Sequence, residues 1–427
     1  MSICSSRKGG VAGAVAAGVS PFPMSELAAK VEHLVSLTLG KVRAKDRELG
    51  AAINEALGVY DPRDLAGVKA AIKLLDAGLA RAKDPRSQQI LRLALGVLVE
   101  AGAPPELAWP TAERGLIETL KVATRYAQAA LESEDTPSIK EAVAMAGASL
   151  QKKMPREYAA WDSLKSRALL AIACLAHSPK LRRQMQKSRA DLIAAVYPLE
   201  EDIEALLFLR QIMRVLPDQT MLVIHPEQRR GFRVEVKEVT TNMELMVLLH
   251  DAVIGDPKKG FIEGRRPSLK AIAALKDPDH APKKPPEVAL PFHWSSWRAL
   301  RPDGTLPAAS EQRPPNWVWF EGVPLDILPF QGERVILLTK PIMPRTMEIE
   351  ASFEALAPSV TVKQKLSGAE VDRLLLRMGK AAVKADAIAV AEEQAAMEVE
   401  RKKWDAEAKA HDRSLAAAKK KRAAARK

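Results

Sequence analysis

"MLVIHPEQRRGFRVEVKEV", Met221 to Val239, is where the chain changes texture. Four apolar residues run into a polar turn that closes at Gly231, after which Phe232, Val234 and Val236 alternate with Arg233, Glu235 and Lys237. Alternation with a period of two places one side chain set on each face of a half-buried strand, so the stretch predicts a β-hairpin. Behind it, "TTNMELMVLLHDAVIG" (Thr240 to Gly255) offers Thr241 or Asn242 as the cap of a helix that stops at Gly255. A strand pair followed by a helix opens an α+β unit.

Downstream, "HAPKKPPEVALPFHW" (His280 to Trp294) is too rich in proline and lysine for regular structure and predicts a linker. Asp303–Gly304 is a turn dipeptide, and "WVWFEGVPLDI" and "ERVILLT" predict strands joined through Pro329 and the Gln331–Gly332 turn. "SGAEVDRLLLRMGKAAV" predicts a helix whose start is a capping box between Ser367 and Glu370. From within this helix onward Leu376, Val383, Val390, Met397 and Trp404 recur every seven residues, but Asp386, Glu393 and Glu400 stand where a second apolar seam would be. The tail therefore predicts one long, partly solvated helix, not a paired coiled coil.

Upstream, from Met24 to about Pro217, the pattern is helical throughout. In "DLAGVKAAIKLLDAGLARA" (Asp64 to Ala82), Leu65, Val68, Ile72, Leu75 and Leu79 share one face at steps of three and four. Asp84–Pro85, Pro104–Pro105 and the group Asp135 to Pro137 punctuate the run, since proline lacks the amide hydrogen a helix needs. "YPLEEDIEALLFLRQIMRVL" (Tyr197 to Leu216) predicts a single helix with Glu200, Glu201, Asp202 and Glu204 at its positive end and Arg210 and Arg214 at its negative end. No repeat consensus recurs, so both a helical bundle and an irregular α-solenoid satisfy the pattern.

The expected fold class is α+β and multidomain, with an N-terminal helical bundle or solenoid, a C-terminal α+β domain of short antiparallel strands, and a long basic helix. The expected organisation is a leader over residues 1–23, a helical scaffold over 24–217, an α+β domain over 218–375 and a basic Ala- and Lys-rich tail over 376–427. Residues Val11 to Val19 are mostly alanine and glycine, too weakly apolar for a signal peptide, so the leader reads as a loose end or as sequence ahead of a start at Met24. No stretch reaches the roughly 20 apolar residues of a bilayer crossing, so no membrane insertion is expected. Two cysteines, Cys4 and Cys174, supply no disulfide framework and suit the reducing cytoplasm.

The net charge of +12 is concentrated at one end, because residues 401–427 hold eleven lysines or arginines against three acids. Polyanion affinity, if any, belongs to Lys419, Lys420, Lys421, Arg422, Arg426 and Lys427 and would be weak and non-specific. "GDPKKGFIEG" (Gly255 to Gly264) has the glycine spacing of a phosphate loop but carries Phe261 and Ile262 where lysine and a hydroxyl are required. The seven histidines lie apart from one another and from cysteine, which predicts no metal site, and no motif implies a cofactor.

Two groups are left as candidate binding surfaces. His225, Glu227, Arg229 and Arg230 crowd the hairpin tip, where an arginine fork could grip a carboxylate or phosphate. Phe292, Trp294, Trp297, Trp317, Trp319 and Phe320 gather six of the nineteen aromatics into 29 residues. On a strand, Trp317 and Trp319 would share one face and Val318 and Phe320 the other, and a strand apolar on both faces is normally buried on both. The cluster therefore reads mainly as a small core. The alternative leaves an indole face open for stacking, with His293, Arg298 and Asp303 as polar partners. The function expected is a non-catalytic interaction protein that binds a protein partner through the scaffold and the aromatic domain. Nucleic-acid binding through the tail, and an enzyme site assembled from distant residues around His225 or His293, are the alternatives.

Overall fold

The computed structural model describes residues 25–385 and 388, apart from 41–43, 135, 137, 186–187, 217–218, 277–283, 350–352 and 354. The first half is helical: α1 Glu26–Thr38, α2 Asp46–Gly58, α3 Leu65–Arg81, α4 Pro85–Glu100, α5 Pro105–Glu113, α6 Leu116–Ser133, α7 Ile139–Lys153, α8 Pro155–Ala176, α9 Pro179–Gln184, α10 Arg189–Val196 and α11 Glu204–Arg214. Their starts follow local chemistry. Ser25, Asp64, Asp84, Ser138 and Ser178 accept a hydrogen bond from a backbone amide of the first turn, and proline opens α4, α5, α8 and α9, where its missing N–H costs nothing.

Helix α8 is the axis of this half. It packs against α4, α5, α6 and α11, and its buried Leu164, Ala168, Leu170, Ala171, Cys174 and Leu175 mix large and small side chains that admit close neighbours. In a stacked array each unit meets only the next. Helix α8 meets α4 through α7, α9 and α11, more than its immediate neighbours in the chain.

The segment from Tyr197 to Leu216 corrects the sequence reading. Residues Tyr197–Leu199 form a 3-10 turn around Pro198, and α11 begins only at Glu204. Glu200 instead pairs with Arg210 at 2.5 Å, and Asp202 accepts from Ser138 Oγ and the Lys140 amide, both at 3.1 Å, which ties it to the start of α7.

The second half is built on a mixed sheet. Its elements are β1 Gln219–His225, β2 Arg230–Lys237, α12 Asn242–Val253, α13 Leu269–Lys276, β3 Glu287–Ala289, β4 His293–Ser295, β5 Pro329–Phe330, β6 Glu333–Thr339, β7 Thr346–Glu348, β8 Ser359–Leu366 and α14 over residues 368–385. The strand order is β4-β6-β1-β2-β8, with β5 beside β6, and β3 and β7 form a separate pair. The hairpin is present as β1 and β2, joined antiparallel from Gln219 opposite Val236 to His225 opposite Arg230. The expectation of antiparallel strands fails at the centre, where β1 and β6 run parallel. A parallel neighbour needs a long crossover, and the chain between β1 and β6 supplies one that carries both α12 and α13.

Helices cover both faces. Met221, Val223, Phe232, Val234 and Val236 share a core with α12, while Leu222, Ile224, Val335 and Leu337 pack with Val371, Leu375 and Met378 of α14. A strand buried on both sides reads as an unbroken apolar run, which is why residues 221–224 do not alternate. The capping boxes of α12 (Thr241 with Glu244) and α14 (Ser367 with Glu370) both form. The two halves meet where buried Arg182 reaches Glu238 at the end of β2, and where Phe208 meets Phe353 with ring centres 6.1 Å apart.

Candidate functional site: an open tryptophan pocket

Residues 316–320 are not a regular strand; they form an extended segment laid against β4. The Ser296 amide donates to Asn316 O at 2.7 Å, the Val318 amide donates to Trp294 O at 2.9 Å, and Ser295 bridges Trp317. Prolines at 314 and 315 and the turn at 321–322 keep the segment too short for a longer ladder. Extended backbone still alternates its side chains. Asn316, Val318 and Phe320 are buried, Trp317 is half-buried, and Trp319 keeps 48% of its surface in solvent.

The expectation that both faces would be covered thus holds for one face. Phe320 packs on Trp294 with ring centres 5.0 Å apart, below the segment. Above it, the indoles of Trp317 and Trp319 lie 5.0 Å apart and inclined at 54°. With Phe292, His293, Ile342, Met343 and Arg345 they enclose a cavity of about 230 Å³. The buried Phe292, Val318 and Phe320 supply its base, and the exposed Ile342 and Met343 belong to the loop that follows β6.

The polar groups of this pocket are few. The His293 ring meets Trp317 edge-on at 5.1 Å, and burial pulls its pKa down to about 4, so it is neutral at pH 7. His293 Nε2 and Trp317 Nε1 are buried and have no hydrogen-bond partner among the described residues. The Arg345 guanidinium is paired with Glu321. The N-terminus of α12 clamps the far end of the segment: Asn242 Nδ2 donates to Trp319 O at 2.7 Å, and the Asn242 amide donates to Gly322 O at 2.9 Å.

The other aromatic candidates are distributed elsewhere. Trp294 is fully buried and donates to His250 Nε2 at 3.3 Å. Trp297 lies on the α14 side of the sheet, donates to Pro329 O at 3.2 Å and packs on Phe330. Arg298 stands over the Trp297 ring, 6.0 Å from its centre, and Asp303 accepts from the Thr305 amide and hydroxyl within its own turn. Neither of these two lines the tryptophan pocket.

The hairpin-tip candidates are committed to the fold. His225 is buried, accepts from the Gln228 amide at 3.3 Å and meets Phe292 edge-on; burial lowers its pKa. Glu227 stands 3.8 Å from Lys340. Arg229 pairs with Asp372 of α14, and Arg230 donates to Pro257 O at 3.0 Å. Lys419, Lys420, Lys421, Arg422, Arg426 and Lys427 lie outside the described residues.

Sequence reasoning missed Ile342, Met343, Arg345 and the clamp residue Asn242. The first three sit in "KPIMPR" (Lys340 to Arg345), where two prolines bracket exposed apolar residues, a signal that was available. The Asn242 contact, across 77 positions, had none.

No protein-family model, curated protein or solved structure matches the chain. Among the described residues no group of three His, Cys, Asp or Glu side chains could hold a metal ion, and no helix is long and apolar enough to cross a membrane.

Proposed function

We propose that this chain is a non-catalytic interaction protein that takes an apolar segment of a protein partner into the Trp317–Trp319 pocket. The observation that carries the reading is the exposure of Trp319 beside Ile342 and Met343 over a base of buried Phe292, Val318 and Phe320. Apolar side chains held out to water by a rigid base lose hydration cost when covered, and tryptophan is among the residues that dominate interface energies. The groups that line the cavity include one neutral imidazole and one paired guanidinium and no carboxylate, which suits binding rather than proton transfer. A cytoplasmic location goes with this reading, supported by the unpaired, buried thiol of Cys174. The cationic tail adds a weak, salt-sensitive affinity for nucleic acid, supported by its eleven lysines and arginines.

The test is comparative capture on the immobilised full chain. Proteins retained by the wild type should be lost from Trp319→Glu and from Met343→Glu, yet kept by Tyr197→Glu, which changes an exposed aromatic on the helical half. An identical retained set for all four proteins would overturn the reading.

A further inference from the structure

We infer that the turn over residues 256–260, together with Arg230 and Lys365, is a docking surface for a carboxylate-rich segment of a protein partner. This surface is separate from the tryptophan pocket, whose lining includes none of these residues. Each of the two surfaces can fail its own test without touching the other.

Geometry brings the cations together. Arg230 and Phe232 are two apart on β2 and share one face of the sheet, and Lys365 of β8 lies opposite Phe232. The 3-10 turn Pro257–Lys259 is tied to both strands: Arg230 donates to Pro257 O at 3.0 Å, and the Lys365 ammonium donates to Lys259 O at 2.9 Å. Lys258 and Lys259 of that turn are exposed. Four cationic side chains thus belong to one turn and the two strands it is tied to.

Their charge is left unanswered. Four exposed arginines of the same half each have a carboxylate partner: Arg229 with Asp372, Arg266 with Asp251, Arg301 with Glu311 and Arg345 with Glu321. Arg230, Lys258, Lys259 and Lys365 form no ion pair among the described residues. Backbone carbonyls fix Arg230 and Lys365 without neutralising them, so the patch keeps a positive field that draws an anionic partner and repels a cationic one.

The surroundings choose the kind of anion. The turn's amides are already spent: Lys258 donates to Asp256 Oδ1, and Lys259, Gly260 and Phe261 donate to the carbonyls of Asp256 and Pro257. A phosphate cradle needs such amides free. A nucleic-acid strand gains from an open ring on which to stack a base, and here the Lys365 ammonium covers the Phe261 ring from 3.5 Å. Asp256 in the turn, Glu263 bonded to Gln228 of the hairpin tip, and Asp372 beside Arg229 bound the patch and would repel a longer run of phosphates. A short acidic segment needs only a few cations within reach of one another, and lysine meets each carboxylate as a mobile point charge.

The experiment incubates the full chain with an acetylated, amidated hexaglutamate peptide and a water-soluble carbodiimide, which condenses a carboxylate with a lysine amine into an amide and leaves as a urea. Mass spectrometry then maps the joined lysines. Lys258 and Lys259 should be joined at least about fivefold more often than Lys69 and Lys73, exposed lysines of α3. In parallel, fluorescence anisotropy of a labelled hexaglutamate gives its affinity. The double variant Lys258→Gln with Lys259→Gln keeps the turn's backbone bonds and should bind about three- to tenfold more weakly. Raising salt from about 50 to about 200 mM should weaken the wild type several-fold, and Lys69→Gln with Lys73→Gln should match the wild type.

Joining spread evenly over exposed lysines, or confined to those of residues 401–427, would overturn the inference. So would an affinity that the Lys258→Gln and Lys259→Gln variant leaves unchanged. A single-stranded oligothymidylate that displaces the peptide, and itself loses affinity in that variant, would also overturn it, because the occupant would be a nucleic acid.

Discussion

Trp294 donates its indole N–H to Nε2 of His250 across 3.3 Å, and neither side chain reaches solvent. An indole can only donate, so His250 Nε2 is unprotonated and the neutral ring carries its proton on Nδ1, which has no partner among the described residues. This pair sits beneath the pocket, with Phe292 wedged against His250 and Phe320 against Trp294. The rigidity of the binding surface above therefore depends on a histidine that must stay neutral.

That dependence gives an acid sensitivity of known sign. Burial pulls the His250 pKa down to about 3 and that of His293 down to about 4, and lowers that of His225, against roughly 6.5 in the unfolded chain. Below about pH 6.5 the unfolded state binds more protons than the folded one, so stability is fully present above that value and falls as pH drops towards the folded pKa values. Melting temperature, read by near-ultraviolet circular dichroism, should decline steadily from pH 7 to pH 4.5. His250→Asn, whose amide oxygen can accept from Trp294, should make that decline shallower; an unchanged slope would refute the assignment of the acid sensitivity to His250.

The junction of the halves predicts a context-dependent ion pair. Arg182 is almost wholly buried, donates to Leu175 O at 2.7 Å and Ala176 O at 3.0 Å, and meets Glu238 Oε1 at 2.5 Å. Glu238 Oε2 accepts from the Ala357 amide at 3.1 Å. Removing the carboxylate in Glu238→Ala strands the guanidinium and should cost about 3–5 kcal/mol in urea unfolding. The double variant Arg182→Met with Glu238→Met should lose less than Glu238→Ala alone, because no charge is left without its partner. A double variant as unstable as the single one would contradict the account.

Helix α14 predicts a steric result. A Cβ on Gly379 would stand 2.1 Å from the Arg301 carbonyl oxygen, and the same turn carries Gly304 in the left-handed region at φ +83°. Gly379→Ala must push α14 away from that turn, at about 1–3 kcal/mol, with faster hydrogen exchange of the amides over 371–382. Gly50→Ala in α2, which meets nothing within 4 Å, should instead raise stability by about 0.5–1 kcal/mol through helix propensity. Equal effects at the two sites would show that the close approach does not matter.

Local chemistry was legible wherever one element carried its own signal. The β1–β2 hairpin, the cap at Thr241 and the box between Ser367 and Glu370 depend on residues within a few positions of one another, and all form as the spacing implies. The single helix expected from Tyr197 did not form, because Glu200 and Asp202 found partners on α11 and α7 that no local pattern names. The same holds for Arg229, whose exposed appearance in the sequence ends in a pair with Asp372.

What the sequence determined by itself was periodicity: helices alone before residue 217, strands mixed with helices after it, and Trp317 and Trp319 on the same side of an extended backbone. Tertiary structure decided partnership, including the parallel pairing of β1 with β6, the burial of Trp294 against His250, and the open side left to Trp319. The physical reason is that side-chain direction follows from backbone geometry one residue at a time, whereas burial depends on which distant surface arrives to exclude water, and among the described residues only one face of the tryptophan segment received such a surface.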